Sequence, residues 1–262
     1  MKRLLSLHPL ALAALALHFA VAPPVNATGW LTNSPMATSR EWHTATLLLD
    51  GRLLVAGGVI GDWSGVMEII TAELFDPAAG RWTTTSTMNR PHYWHSATLL
   101  PNGKVLLAGG LGGNNSTATE LFDPMCKTWI TGDSLKHRRY WHSATLLHNG
   151  KVMVVGGQGI NGALSAAELY DPATDGWTET GGMITPRRFH TATLLADGRL
   201  LVIGGEDGNH WISSAESYDP ETGSWSETGA LATARSWHTT TLLPNGLVLV
   251  VGGDQFDRRS RQ

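Results

Sequence analysis

Short apolar stretches punctuated by glycine, proline, asparagine and aspartate run along most of the chain, and no window keeps the three-to-four-residue spacing of an amphipathic helix. The pattern predicts short, turn-bounded strands. It is plainest around residues 143–183, where four strand-like pieces follow one another: Ser143 to Leu147, Lys151 to Val155, Ala166 to Tyr170, and Trp177 to about Met183. The first two are joined by His148-Asn149-Gly150, and the equivalent joints elsewhere are Asp50-Gly51, Asn102-Gly103, Asp197-Gly198 and Asn245-Gly246. These pairs tolerate the positive φ of tight hairpin turns. Asp-Pro at 76, 123, 171 and 219 closes the third piece, because proline has no N–H to give to a ladder. The unit is therefore a four-stranded antiparallel meander.

The unit repeats. Trp42-His43-Thr44-Ala45-Thr46-Leu47-Leu48 returns at Trp94, Trp141, Phe189 and Trp237, which places a histidine at His43, His95, His142, His190 and His238. A glycine pair follows each at a constant offset: Gly57-Gly58, Gly109-Gly110, Gly156-Gly157, Gly204-Gly205 and Gly252-Gly253. Glu73, Glu120, Glu168 and Glu216 each open a Glu-x-aromatic-Asp-Pro segment, and nine residues after each stands Trp82, Trp129, Trp177 or Trp225. A unit of this size cannot bury both faces alone, whereas radial stacking into a propeller buries them and protects the strand edges.

The glycine pair after an apolar strand, followed by a spaced aromatic pair such as Tyr170 and Trp177, resembles the Kelch repeat over about residues 29 to 253. That resemblance implies an all-β Kelch-type β-propeller with four complete four-stranded blades and a fifth, incomplete blade built from both chain ends. Gly29 to Met36 match a fourth strand, since Trp30 precedes Met36 by the interval that separates Trp82 from Met88. The segment from His238 to Gly253 supplies strands one and two of the same blade. After Gly253 the sequence Asp254 to Gln262 lacks Glu-x-Tyr-Asp-Pro, so the closing blade is expected to be gapped, as in a truncated member of a longer family or a blade bridged irregularly or by a partner.

Lys2 and Arg3, an apolar run from about Leu10 to Ala22, and the small-residue close at Val25-Asn26-Ala27 form a signal-peptide pattern over residues 1–27. The run is too short for a comfortable membrane span, which needs about 20 apolar residues, and no second run follows. The expectation is a secreted or periplasmic chain with a propeller over 28–257, a short basic tail at 258–262, and no membrane span once the leader is removed. Composition narrows the partners further. A net charge of -3 without a long basic run gives no footprint for nucleic acid. Cys126 is the sole cysteine and cannot form an intramolecular disulfide, so packing must supply stability.

The five histidines recur once per unit, with Arg40, Arg139, Arg187 and Arg235 three residues earlier and His92 in that place in the second repeat. Repetition of this kind argues for a blade-level hydrogen-bonding role satisfying backbone groups, with no metal and no cofactor. The glutamates are expected to meet the arginines or nearby backbone. Function should lie where the repeats differ, on the rim that carries the loops after the glycine pairs and the linkers into the histidines. The first loop, Val59 to Thr71, carries Asp62, Trp63 and Glu68; the fourth carries Glu206, Asp207, His210 and Trp211; His92 and Tyr93 depart from the repeated linker. Trp63 and Trp211 either face a ligand or tuck back onto their own blades.

The expected activity is that of a noncatalytic module binding a protein or a glycan. The resemblance also reaches galactose-oxidase-like copper oxidases, which carry a Kelch-type propeller and use a tyrosine cross-linked to cysteine, with copper held by tyrosines and histidines. Here Cys126 lies in an Asp-Pro to Trp turn, and Tyr170 and Tyr218 occupy the repeated third-strand position, a departure from that motif. A third alternative is a fragment of a longer Kelch protein with no independent function.

Overall fold

The computed structural model describes residues 33–254, apart from 63–64 and 114–115. The expected leader (residues 1–27), the first part of the fourth-strand match (residues 29–32) and the expected tail (258–262) therefore lie outside the described residues, as does Trp63. The first sheet contains β1 (Thr44–Leu47) and β2 (Leu53–Ala56); the hairpin β3 (Val59–Asp62) and β4 (Gly65–Glu68) stands in its loop; β5 (Ala72–Asp76) and β6 (Arg81–Thr84) complete it. The second comprises β7 (Ser96–Leu99), β8 (Val105–Ala108), β9 (Thr119–Asp123) and β10 (Thr128–Thr131). In the third, β11 (Ser143–Leu146) and β12 (Val152–Val155) precede the small hairpin β13 (Gln158–Gly159) and β14 (Gly162–Ala163), then β15 (Ala167–Asp171) and β16 (Gly176–Thr180). The fourth runs β17 (Thr191–Leu194), β18 (Leu200–Ile203), β19 (Ser214–Asp219) and β20 (Ser224–Ala230); a fifth, two-stranded sheet holds β21 (Thr239–Leu242) and β22 (Val248–Val251).

Each complete sheet is an antiparallel meander in chain order, so the expected blade is present four times, followed by half a blade. The two loop hairpins are additions that the repeat did not foretell. Strand boundaries sit within a residue or two of expectation, except that the fourth strand of the third blade stops at Thr180 short of Met183. The hairpin turns follow the residue types. Leu48 N–H bonds Arg52 O at 2.8 Å, Gly51 adopts φ 84°, and the Asp50 carboxylate accepts the Arg52 amide at 3.0 Å.

First strands lie side by side in sequence order, β1 beside β7, β7 beside β11, β11 beside β17, and β17 beside β21, which makes them the inner strands around a common axis. The apolar core is the set of seams between consecutive blades. Leu48, Leu54, Ala56 and Leu74 from one blade meet Val105, Leu107, Phe122 and Trp129 from the next, and the same offsets recur at the two following seams. Burying a side chain of this size is worth about 1.5–3 kcal/mol, so the seams dominate cohesion. At the two ends of the arc the seam positions are open: Leu47 is 63% exposed in the first blade, and Leu249 and Val251 are 48% and 54% exposed in the half blade.

Two polar systems accompany the seams, one tying each linker to the blade it enters and one joining consecutive blades. In the first, the glutamate that opens each third strand is buried and accepts from two consecutive linker amides and one cation. Glu73 takes Ala37 and Thr38 N–H with Arg40; Glu168 takes Lys136 and His137 N–H with Arg139; Glu216 takes Ile184 and Thr185 N–H with Arg187. In the second blade Glu120 takes the Asn89 and Arg90 amides, and His92 stands in for the arginine at 3.3 Å. The arginines also satisfy backbone, as Arg139 does at Gly156 O (2.8 Å) and Ala166 O (3.0 Å). This is the expected arginine–glutamate pairing.

The second system corrects the expected role of the histidines. Each of four reaches across the seam to a hydroxyl on the preceding blade's first strand: His95 to Thr44, His142 to Ser96, His190 to Ser143 and His238 to Thr191, at 2.8–2.9 Å. Their work is between blades, and backbone satisfaction falls to the arginines. Burial drives the imidazoles toward the neutral form, His142 and His190 to about 3, with the nearby Arg139 and Arg187 charges acting in the same direction.

Candidate functional site: an aromatic collar

The glycine pairs fix how linkers and loops meet. Gly157 has φ 94°, and a Cβ there would lie 2.7 Å from Tyr140 O, so only glycine lets the loop run against its own blade's linker. The Gly157 amide meanwhile bonds Arg187 O of the next linker at 2.9 Å. Beyond each pair the loop forms a two-way bridge with the linker: Glu41 with Val59, Tyr93 with Leu111, Tyr140 with Gln158, Arg188 with Glu206, Ser236 with Asp254. Loops and linkers thus share one rim, as the repeat spacing predicts.

On that rim the residue before each histidine takes a left-handed backbone: Trp42, Trp94, Trp141, Phe189 and Trp237 have φ between 54° and 58°. A side chain there costs roughly 1–2 kcal/mol. Each amide from Trp94 onward donates to the carbonyl of the preceding aromatic, at 3.1–3.4 Å. The rings follow, with centroids 4.7, 4.6, 4.3 and 4.0 Å apart from Trp42 through to Trp237. The result is a continuous aromatic collar at the axial end of the inner strands, one ring per blade, and Trp237 is 60% exposed.

A polar belt surrounds the collar. Tyr93 packs on Trp94 at 5.0 Å and Tyr140 on Trp141 at 4.6 Å. The Arg188 guanidinium lies 5.5 Å from the Trp141 ring and 5.3 Å from the Phe189 ring, within cation–π range. It is held by Glu206 at 2.6 Å and by the side-chain carbonyl of Gln158. Burial raises the Tyr93 hydroxyl above its ordinary value, and the Glu68 charge adds to that. Tyr140 is raised by burial despite the Arg188 charge. Both phenols therefore stay protonated near neutrality and can donate.

The anticipated site residues divide accordingly. Glu68, Tyr93 and Glu206 belong to the belt. Glu68 is exposed on β4 and accepts the Gly113 amide at 2.9 Å. Asp207 caps a local turn by accepting the Asn209 and His210 amides at 2.7 Å, while His210 is 73% exposed. Trp211 is half-buried and bridges Glu206 across its own loop. Asp62 lies at the tip of β3. His92 is a correction: it is 1% exposed and committed to Glu120 and to Gly109 O at 2.9 Å, so it faces inward as the second blade's substitute for arginine.

The five collar aromatics, with Tyr140, Gln158 and Arg188, were not anticipated as a site. One signal was available, because the position before each collar ring reads Glu41, Tyr93, Tyr140, Arg188 and Ser236 and is variable inside an otherwise constant motif. Among the described residues no three histidine, cysteine, aspartate or glutamate side chains converge as metal ligands. Cys126 is exposed in the turn between β9 and β10.

Comparison with known proteins agrees with this architecture. No curated protein matches the sequence. Among solved structures the chain is similar to one titled "Structure of YjhT", at 16% identity and TM-score 0.69, covering 87% of this chain and 81% of that one. It is also similar to a fungal alcohol oxidase of the AA5 family, in complex with copper, at 17% identity and TM-score 0.50; the match covers 80% of this chain and 58% of the oxidase. At these identities the likeness shows the fold alone. With residues 42–253 matching the KLHDC2/KLHL20/DRC7 Kelch-repeats domain, the chain belongs to the Kelch-repeat family of β-propellers.

Proposed function

We propose that the chain is an extracytoplasmic, noncatalytic binding module whose ligand, a protein or a glycan, docks on the aromatic collar. The observation that carries this is the unbroken row of closely packed, mostly tilted rings from Trp42 to Trp237, ringed by two phenol donors, a guanidinium and carboxylates. Aromatic faces supply contact area at small entropic cost, and the belt fixes orientation. The charged leader-like start of the sequence, Lys2 and Arg3 before an apolar run, supports the compartment.

The test is a glycan array and a protein pull-down with the full chain, followed by titration of each hit against Trp237→Ala and Arg188→Gln. Loss of about ten-fold or more in affinity for both variants, with unchanged thermal unfolding, is the expected result. A hit that binds both variants as well as the parent would place the site elsewhere. Copper-dependent release of peroxide from sugar alcohols would replace this reading with the oxidase one.

A further inference from the structure

The linker that enters the third blade carries charge that the fold does not use. In each complete blade the third-strand glutamate is held by the backbone amides of two linker residues, so the side chains there have no common structural duty. They and the residue that follows read Ala37-Thr38-Ser39, Asn89-Arg90-Pro91, Ile184-Thr185-Pro186 and Ala232-Thr233-Ala234 in the other four linkers. The third reads Lys136-His137-Arg138, basic at all three positions. His137 is engaged, its Nε2 lying 2.6 Å from the Glu179 carboxylate on β16. Lys136 and Arg138 are exposed. Among the described residues neither meets a carboxylate, whereas Lys104, Lys151, Arg139, Arg187, Arg188 and Arg199 all do. Both line a cavity of about 420 Å³ whose other walls are the β13–β14 hairpin and Thr117 of the second blade's loop. That volume falls in the range of ligand sites, roughly 300–1,000 Å³. At the hairpin tip Ile160 is 75% exposed, and Leu164 adds a second aliphatic side chain to the wall.

We infer that this cavity is a second binding site, which takes an acidic segment of a partner protein through carboxylates on Lys136 and Arg138 and an apolar side chain on Ile160 and Leu164. The occupant follows from complementarity. Two cations without counter-charges in a concave site keep a positive potential that draws an anion, and a guanidinium grips a carboxylate with two parallel bonds while an ammonium acts as a point charge. The walls choose the kind of anion. None of the lining residues is aromatic, so a sugar ring has no flat face to lie on, whereas the aliphatic surface suits a side chain such as leucine. No collar or belt residue lines the cavity, so the two sites are separate and this one does not rest on ligand binding at the collar.

The probe is a labelled pool of synthetic peptides with Glu-Glu-Leu fixed at the centre and uncharged flanks randomised, titrated onto the full chain at low salt by fluorescence anisotropy. Saturable binding is expected, and a matching Gln-Gln-Leu pool should bind about ten-fold more weakly or worse, because hydrogen bonds between charged groups are the strong ones. The double variant Lys136→Ala, Arg138→Ser should lose a similar factor. It copies the first linker, Ala37-Thr38-Ser39, and keeps the amides that hold Glu168, so its thermal unfolding should match the parent's. Trp237→Ala, which truncates the collar, should bind the glutamate pool as the parent does. Absence of saturable binding, equal affinity for the two pools, or undiminished binding by the double variant would each overturn the inference. So would loss of binding in Trp237→Ala, which would assign the peptide to the collar. A sulfated oligosaccharide that binds more tightly than the peptides and is lost with the same two cations would overturn the choice of a protein partner.

Discussion

Lowering the pH from about 7.5 to about 5 should destabilise this fold through its buried histidines. His142 and His190 are held neutral in the native state, with values pushed down from 6.5 to about 3, first by burial and then by the charges of Arg139 and Arg187. His142 keeps some exposure as a residue, but its Nδ1 is out of water and its Nε2 lies 2.9 Å from the Ser96 hydroxyl. The unfolded chain binds protons below its ordinary value and the native chain does not. The stabilisation is therefore complete above about 6.5 and drains as pH falls toward about 3. At pH 5 the gap is about 1.5 units, or roughly 2 kcal/mol for each imidazole and roughly 4 kcal/mol for the two. Buried His95 and His238 are shifted in the same direction. Such a loss is a large part of a typical domain stability of about 5–15 kcal/mol. Urea unfolding at several pH values between these limits reads it directly. Carboxylates such as Asp50 and Asp197, lowered by Arg52 and Arg199, lose their contribution only below their ordinary value of 3.8 and so leave this window clear. A His142→Gln variant should start less stable and show a shallower pH slope. Stability that stays flat between pH 7.5 and 5, or an unchanged slope in the variant, would refute the reasoning.

Two further outcomes follow from the seams. Arg187→Met leaves Glu216 buried against two amides without its guanidinium and is expected to cost about 3–5 kcal/mol in urea unfolding, whereas Arg187→His, copying the His92 arrangement, should recover part of that. Gly157→Ala sets a Cβ 2.7 Å from Tyr140 O and should cost about 3 kcal/mol or more, while Gly246→Ala, with φ 82° and open space around it, should cost about 1 kcal/mol. A matched pair of thermal melts distinguishes the steric from the purely conformational penalty.

How much of this was legible depends on whether the information is local. Asp50-Gly51 and its counterparts encode the first hairpin of each blade because the turn chemistry resides in the two residues themselves, and every one of those glycines has positive φ. The buried Glu73, Glu120, Glu168 and Glu216 were legible as paired groups because a charge inside an apolar strand has few other fates. The histidine partners were not, since the hydroxyls that they meet are some 46–51 residues away and the strand motif does not say which blade's hydroxyl it is. His92 misled for the same reason. It stands out in sequence as a departure from arginine, and only the seam shows that it performs arginine's task.

The collar was hidden because its defining feature is a backbone angle. Elsewhere among the described residues positive φ is met with glycine, as at the hairpin turns and the glycine pairs, apart from Lys127 and Asp175 in turns. At the five collar positions it keeps a large aromatic residue and bears the strain. Trp141 adds a buried indole N–H with no partner, which stability alone would not favour. On the proposed reading the rings are held for their faces. Trp141→Gly releases the backbone strain while removing the ring, and Trp141→Ala removes the ring and keeps the strain. The glycine variant should accordingly be the more stable of the two by about 1 kcal/mol, since strain of this kind is worth roughly 1–2 kcal/mol. Both should lose ligand equally, because both lack the indole that packs, tilted, at 4.6 Å from Trp94 and at 4.3 Å from Phe189. Equal stability of the two variants would mean that the left-handed backbone is relaxed and the strain argument fails. Undiminished binding in both would mean that the collar is scaffold, with the ligand held by the outer loops.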